Sequence, residues 1–594
     1  MAKFWSKVKR KPTGRRKRQS ARKRTSGIDA IEDLVVEEIE VSAITAPRTG
    51  PKRRKQGESD RLTAVKLAAA WVGLWMLPVL AALFARSPWP VDETRTLAVA
   101  WEMWLRGNAL VPYLNGDVYP QPPLMFLLIN LGWGVFGVNE WWPRLVPALF
   151  GLANLFLIAQ LARYLWPRQV NIARYAPLLM LGMLFWAFYL TLSLGDMLLV
   201  FFTLLGALAI YQMRRRKRGY GWILLGLVLG IAPLASGLGI FLYLAPLALT
   251  APLWANSKHP FRWGRWYGAV GKAFVGAGGF IAVWAFALST QTGPDYVDAL
   301  LAAPLPGPAL ALFSVERPWW WYLAMLAVVT LPWSIFPLIW MRLWHIRREK
   351  MDSGLAFCLF WAWPVIIILS LLSIRQPQFL LPLLPAFALG MAYLLLDDDL
   401  ISHGQDSIWS SMAFPLILLG GLLAAVPGLP RVEALPAMLW EQRSFFIGIA
   451  VAGVGVLLAW LPVQDVRQRI TNIAAGGVAL LVLAILGIGS QFDKLYETND
   501  LAYYLADAER QQRPVAHVGP YHGQFHFAGR LRKPLDVIAA KDVYDWSASH
   551  PQGLIITYTG EWQPHAAATK PAFEAAYRDQ RIRIWKTSTI TAGA

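Results

Sequence analysis

Apolar stretches of about 18 to 23 residues recur along the chain, each the length at which a helix crosses roughly 30 Å of hydrocarbon. They fall at about 66–85, 144–165, 175–192, 197–213, 221–236, 237–254, 272–290, 319–341, 354–373, 379–396, 409–428, 444–462 and 470–490. Barrel strands would be about half as long, so the expected fold is an all-α polytopic membrane bundle of about 13 transmembrane helices. A chain that is 56% hydrophobic and 16% charged over 594 residues agrees with lipid as its main solvent. Tryptophans at the ends of the stretches, as in Trp319-Trp320-Trp321, are expected to act as headgroup-level anchors. The single cysteine, Cys358, excludes an intrachain disulfide and a thiolate metal cluster.

Charge sets the expected orientation. Residues 1–65 form a basic segment without a periodic apolar face, expected to be a disordered cytoplasmic tail held near anionic lipid. With only Phe4 and Trp5 as aromatics there, nucleic acid is not expected as a partner. If the tail is inside, the alternate loops carrying Arg168 and Arg174, Arg214 to Arg218, Lys258 to Lys272 and Arg342 to Lys350 are inside too, as the positive-inside rule requires. Residues 66–490 are then the membrane region. Loop 86–143 lies outside with an amphipathic segment near Trp101 to Leu110 and a short apolar run after Pro122-Pro123. Both segments are expected to be juxtamembrane helices. Residues 491–594, with strand-like runs at 514–518, 554–558 and 581–585, are expected to form a small extracytoplasmic α/β domain.

Under this orientation one side of the membrane collects Asp92, Glu93, Arg95, Tyr119, Gln121, Asp196, Glu316, Arg317 and Arg375. Asp196 opens an apolar stretch, where a charge is costly and reads as functional, although a carboxylate at a helix N-terminus is also favoured by the dipole. Consecutive prolines after Gln121 stiffen the chain there. Arg375, ahead of Pro377, suits a bidentate grip on a phosphate. The histidines His517, His522 and His526 lack an obvious fourth ligand for zinc and are expected to be structural.

Several motifs follow one another in order: Asp92-Glu93-x-Arg95, Gly107-Asn108-x-x-Val111-Pro112-x-Leu114-Asn115-Gly116, Pro122-Pro123-Leu124, Phe136-Gly137-Val138-Asn139-Glu140-Trp141, Asp196-Met197-Leu198, Leu331-Pro332-Trp333 and Phe379-Leu380-Leu381-Pro382. In this order they resemble the membrane glycosyltransferases of the GT-C fold that use polyprenyl-phosphate sugars, the aminoarabinose (lipid A) transferase and protein mannosyltransferase-like group. The resemblance implies an inverting glycosyltransferase in a bacterial inner membrane, with the C-terminal domain in the periplasm. Its donor would be a polyprenyl-phosphate sugar and its acceptor a lipid, a glycan or a protein. It further implies Asp92 as general base or metal contact, Glu93 and Asp196 as supporting carboxylates, and Arg375 as phosphate clamp. Arg95, Tyr119, Gln121, Glu316 and Arg317 would bind substrate. No cofactor is certain, and a divalent metal ion stays open. The family usually has lysines where this chain has Gln121 and Ser236, so its cation set is changed. A transporter of lipid-linked sugars, or a lipid-sugar-binding relative without turnover, are the rival classes; transporters tend to show inverted repeats and midplane charges, and neither is evident.

Overall fold

Particular prolines and glycines interrupt some of the apolar stretches, whereas Pro78, Pro147 and Pro364 lie inside unbroken long helices. The computed structural model describes residues 51–214, 220–255, 262–292, 297, 317–345, 351–372, 375–397, 413–430, 440, 442–461, 465–496, 499–563, 570–577 and 580–591. Glu316 and the tail up to residue 50 lie outside them. Compactness divides the chain into Met1–Lys66 and Leu67–Ala594, and the second unit holds every site residue described below.

Seven helices among the described residues are long and apolar enough to span a bilayer: Val65–Ala85, Trp141–Leu165, Asp196–Arg214, Trp263–Thr292, Ser353–Leu371, Pro377–Leu396 and Val466–Gly487. Within the described residues the other expected spans are shorter or interrupted. The 319–341 stretch becomes Trp321–Val329, a 3₁₀ turn and Pro337–His345, because Pro332 and Pro337 supply no amide to continue a helix. The 175–192 stretch breaks at Gly182, where a Cβ would lie 2.9 Å from the Trp333 ring and 3.0 Å from the Ala474 Cα. Residues 221–254 are interrupted at Pro233 and at Gly237, whose φ is 65°.

Five helices lie around the site: α1 (Pro51–Ala85), α2 (Asp92–Arg106), α3 (Leu124–Phe136), α4 (Trp141–Leu165) and, beyond two shorter helices, the span Asp196–Arg214. The 13 residues of α3 reach only about 20 Å at 1.5 Å per residue, short of a crossing, as expected for this loop. Between α2 and α3 a two-stranded hairpin, β1 (Tyr113–Leu114) and β2 (Asp117–Val118), turns at Asn115 and Gly116, both with positive φ. Glu102 of α2 accepts from both turn amides, from Gly116 N at 3.0 Å and from Asn115 N.

The C-terminal stretch contains a five-stranded mixed sheet in the order β4-β3-β5-β7-β6: β3 (Val515–Val518), β4 (Asp536–Ile538), β5 (Leu554–Tyr558), β6 (Phe573–Tyr577) and β7 (Gln580–Lys586). β3 pairs in parallel with β4 and β5, and β7 is antiparallel to both β5 and β6. Three of these strands coincide with the runs expected from sequence. β4 and β6 are short or half-exposed, with little apolar alternation to mark them. The sheet shares one compact unit with the bundle, and the connection between β3 and β4 docks on α2, α3 and the hairpin. Trp101 Nε1 donates to Leu531 O at 2.8 Å, Asn115 exchanges two hydrogen bonds with Leu535, and Phe527 stacks on Trp133 at 5.3 Å. A Cβ on Gly523 would meet Leu114 at 2.6 Å and Ala98 at 2.8 Å, so only glycine permits this approach.

The tryptophans divide between two environments. Trp319, Trp344 and Trp460 are exposed, but Trp133, Trp186, Trp254, Trp333 and Trp361 are fully buried and form part of the core. Burial of an indole asks for a partner at its N–H. Trp254 donates to Leu247 O at 2.9 Å and Trp333 to Leu179 O at 2.7 Å.

Candidate active site

Helical periodicity sorts the charges at the start of α2. Residues three and four apart share a face, so Asp92, Arg95 and Thr96 point one way while Glu93 is turned about 100° from Asp92. The first three line a cavity of ≈ 100 Å³. Its wall is completed by Gln121 and Pro122 ahead of α3, by Gly195 and Asp196 at the start of the Asp196–Arg214 span, by Ser236, and by Gln378 and Phe379. Residues far apart in sequence thus bring two carboxylates, Asp92 and Asp196, to one concave surface. Arg95 is the one cationic side chain among the described lining residues, 3.5 Å from the Asp92 carboxylate.

Glu93 is placed elsewhere. Its carboxylate is ion-paired with Arg86 at the end of the first span, and it accepts from Trp89 N at 2.9 Å and from Ser193 N at 2.7 Å. Arg86 also donates to Thr191 O at 2.8 Å, and Arg144 of α4 donates to Arg86 O at 2.7 Å. Burial by itself would raise the Glu93 pKa, but the Arg86 charge and its hydrogen bond, with Arg144 behind, hold it below the usual carboxylate range. Glu93 therefore fixes the 191–195 turn that delivers Asp196, and it is a positioning residue rather than a wall of the cavity. Arg86 belongs to no motif named above. A span ending in arginine seven residues before a buried glutamate is the signal that finds it, because a buried charge needs a partner.

Arg317 and Arg375 are brought to each other, not to the cavity wall. Arg317 Nη1 donates to Arg375 O at 2.9 Å, Arg375 Nη1 donates to Arg317 O, and Arg375 Nη2 donates to Ser370 O at 3.0 Å. The Arg317 guanidinium also lies 4.3 Å from the Trp321 ring centroid. Arg375 thus anchors the chain that, a few residues on, supplies Gln378 and Phe379. Tyr119 does not line the cavity; its amide donates to Pro112 O at 2.9 Å and its carbonyl accepts from Gln121 N at 2.7 Å, shaping the step on which Gln121 sits. Gln378, Thr96 and Ser236 complete the lining. In sequence Ser236 stands out only as a departure from the family, and the other two carry no signal.

His517 and His526 are buried. His517 Nδ1 lies 3.0 Å from Gly519 O and His526 Nδ1 lies 2.7 Å from the Tyr521 hydroxyl, while His522 is exposed. Burial lowers both buried rings to about 4. The unfolded chain, with histidine near 6.5, takes up these protons first, so each ring's contribution is intact above about pH 6.5 and lost as pH falls toward about 4. Proteolytic sensitivity of the C-terminal stretch is expected to rise over that window in the wild type. The rise should be smaller in His526→Phe.

Known proteins resemble this chain in sequence and in fold. Residues 120–284 match the family model described as dolichyl-phosphate-mannose-protein mannosyltransferase. An undecaprenyl phosphate-α-4-amino-4-deoxy-L-arabinose arabinosyl transferase of Pseudomonas fluorescens is 28% identical over 434 residues, 70% of this chain and 74% of that protein. A second from the same species is 30% identical over 341 residues, covering 56% and 57% of the two chains. ArnT from Cupriavidus metallidurans in the apo state superposes with a TM-score of 0.71 at 16% identity, over 89% of this chain and 99% of that one. Its complex with undecaprenyl phosphate gives 0.68 at 17% identity, over 88% and 97%. The fold is that of the GT-C membrane bundles. Over these stretches the chain is similar to membrane glycosyltransferases whose names give a polyprenyl-phosphate sugar as donor.

Proposed function

We propose that the protein moves a sugar, with inversion, from a polyprenyl phosphate to a lipid acceptor on the extracytoplasmic face of a bacterial inner membrane. The observation that carries this reading is the convergence of Asp92, Arg95 and Asp196 on one cavity. Loop 86–143 and residues 491–594 pack on each other through Trp101 and Asn115, so they share a side, and the basic alternate loops argue for the outer one. The relatives' names support an aminopentose and undecaprenyl phosphate as the donor.

An acceptor oxygen attacks the anomeric carbon, the bond from that carbon to the phosphate oxygen breaks, and the carrier phosphate leaves with the electron pair. Arg95 lies where a cation would offset that developing charge. Asp92 takes the proton of a hydroxyl acceptor; an acceptor that is already a phosphate anion has none to give, and Asp92 then orients it. Asp196 lines the same cavity. Asp92 and Asp196 are also the hard oxygen donors that a divalent cation would take, and such a cation would supply further neutralisation of the phosphate. Purified protein given donor labelled in its sugar, with a phosphorylated lipid acceptor, is expected to place label on the acceptor and release bare carrier. Label that stays on the carrier contradicts the reading.

A further inference from the structure

Gln378 combines a position on the cavity wall with an unanswered hydrogen-bonding atom. Its residue is 4% exposed, and its Oε1 has no partner among the described residues. The amide does not swing freely. Its Nε2 donates to Gln376 Oε1 at 2.6 Å, and the backbone N–H of Gln376 donates to the Tyr322 hydroxyl at 3.1 Å. The Arg317 and Arg375 cross-ties pin the same length of chain. An acceptor is therefore held beside the cavity wall with no partner among the described residues, and buried polar atoms rarely go without one.

The chemistry of that donor follows from the neighbours. A phosphate offers acceptors only and gains nothing from a carbonyl oxygen, and a polyprenyl chain offers no donor at all. A sugar hydroxyl or amine does, and Ser236, Gln121 and Thr96 add further neutral polar groups to the same lining. We infer that Gln378, through its Oε1, is a specificity-determining contact to a hydroxyl or amine of the donor's sugar, as distinct from its phosphate. This rests on the donor class proposed above.

Binding separates the two claims. Purified wild-type protein and Gln378→Met are titrated with the bare polyprenyl phosphate and with the same carrier bearing its sugar. The variant is expected to lose about tenfold in affinity for the glycosylated carrier, the worth of about one well-made hydrogen bond, and to keep its affinity for the bare carrier within about twofold. Equal loss for both ligands, or loss for neither, overturns the role of Gln378 while leaving the donor class standing. Wild type that binds neither carrier overturns the donor class and this inference with it. If Gln378→Met does not fold, Gln376→Met provides the same reading: it frees the Gln378 amide to rotate and is expected to weaken the glycosylated carrier alone.

Discussion

Asp92→Asn is expected to lower sugar transfer on the order of 10² to 10³-fold while the protein melts as the wild type does. The substitution keeps shape and removes both charge and basicity from the cavity wall. Asp92 lies on the first turn of α2 with its side chain 12% exposed, and its ion pair is with Arg95, a neighbour on the same helix face. Glu93, by contrast, ties distant segments of the chain together. Arg95→Ala should act in the same direction as Asp92→Asn, because its guanidinium serves the transition state more than the ground state. Measured at saturating donor and acceptor, Asp92→Asn with near-normal turnover would move the leading role to Asp196. His522→Ala, on an exposed ring, is the control and should turn over normally.

The second large effect is on stability. Glu93→Ala strips the counter-charge from Arg86, whose side chain is 1% exposed, and breaking a buried pair from one side costs about 3–5 kcal/mol. It also leaves the Trp89 and Ser193 amides without their acceptor. A large fall in melting temperature is expected, with activity falling because the turn before Asp196 loosens. Adding Arg86→Met to Glu93→Ala should recover part of the melting temperature, since the stranded charge is gone. A single Glu93→Ala protein as stable as the wild type would sink the positioning role.

The contrasting fates of these neighbours show what is legible in the sequence. Adjacency groups Glu93 with Asp92, yet helical phase separates them; the 3.6-residue period alone puts them on different faces. Arg375 resembles a clamp from its place before a proline-rich span. Its carbonyl partners come from Arg317 and Ser370, and a tertiary cross-tie of that kind leaves no spacing to read. Asp196 stands out because charge at the start of an apolar run is conspicuous. Gln378 does not, because a neutral amide beside prolines has no pattern. The long helices and the strands Leu554–Tyr558 and Val515–Val518 are legible through runs of apolar residues. Helix breaks such as that at Gly182 are not, since they come from the close approach of Trp333 and Ala474, distant in sequence.

The most direct test reconstitutes the protein in sealed liposomes, with sugar-labelled polyprenyl phosphate and a phosphorylated lipid acceptor both in the leaflet that faces the C-terminal sheet. Label should pass to the acceptor in that leaflet, with one bare carrier released for each sugar moved, and Asp92→Asn should suppress both together. Label that crosses the bilayer while still attached to its carrier, at a rate Asp92→Asn leaves unchanged, would make the protein a transporter and contradict the account.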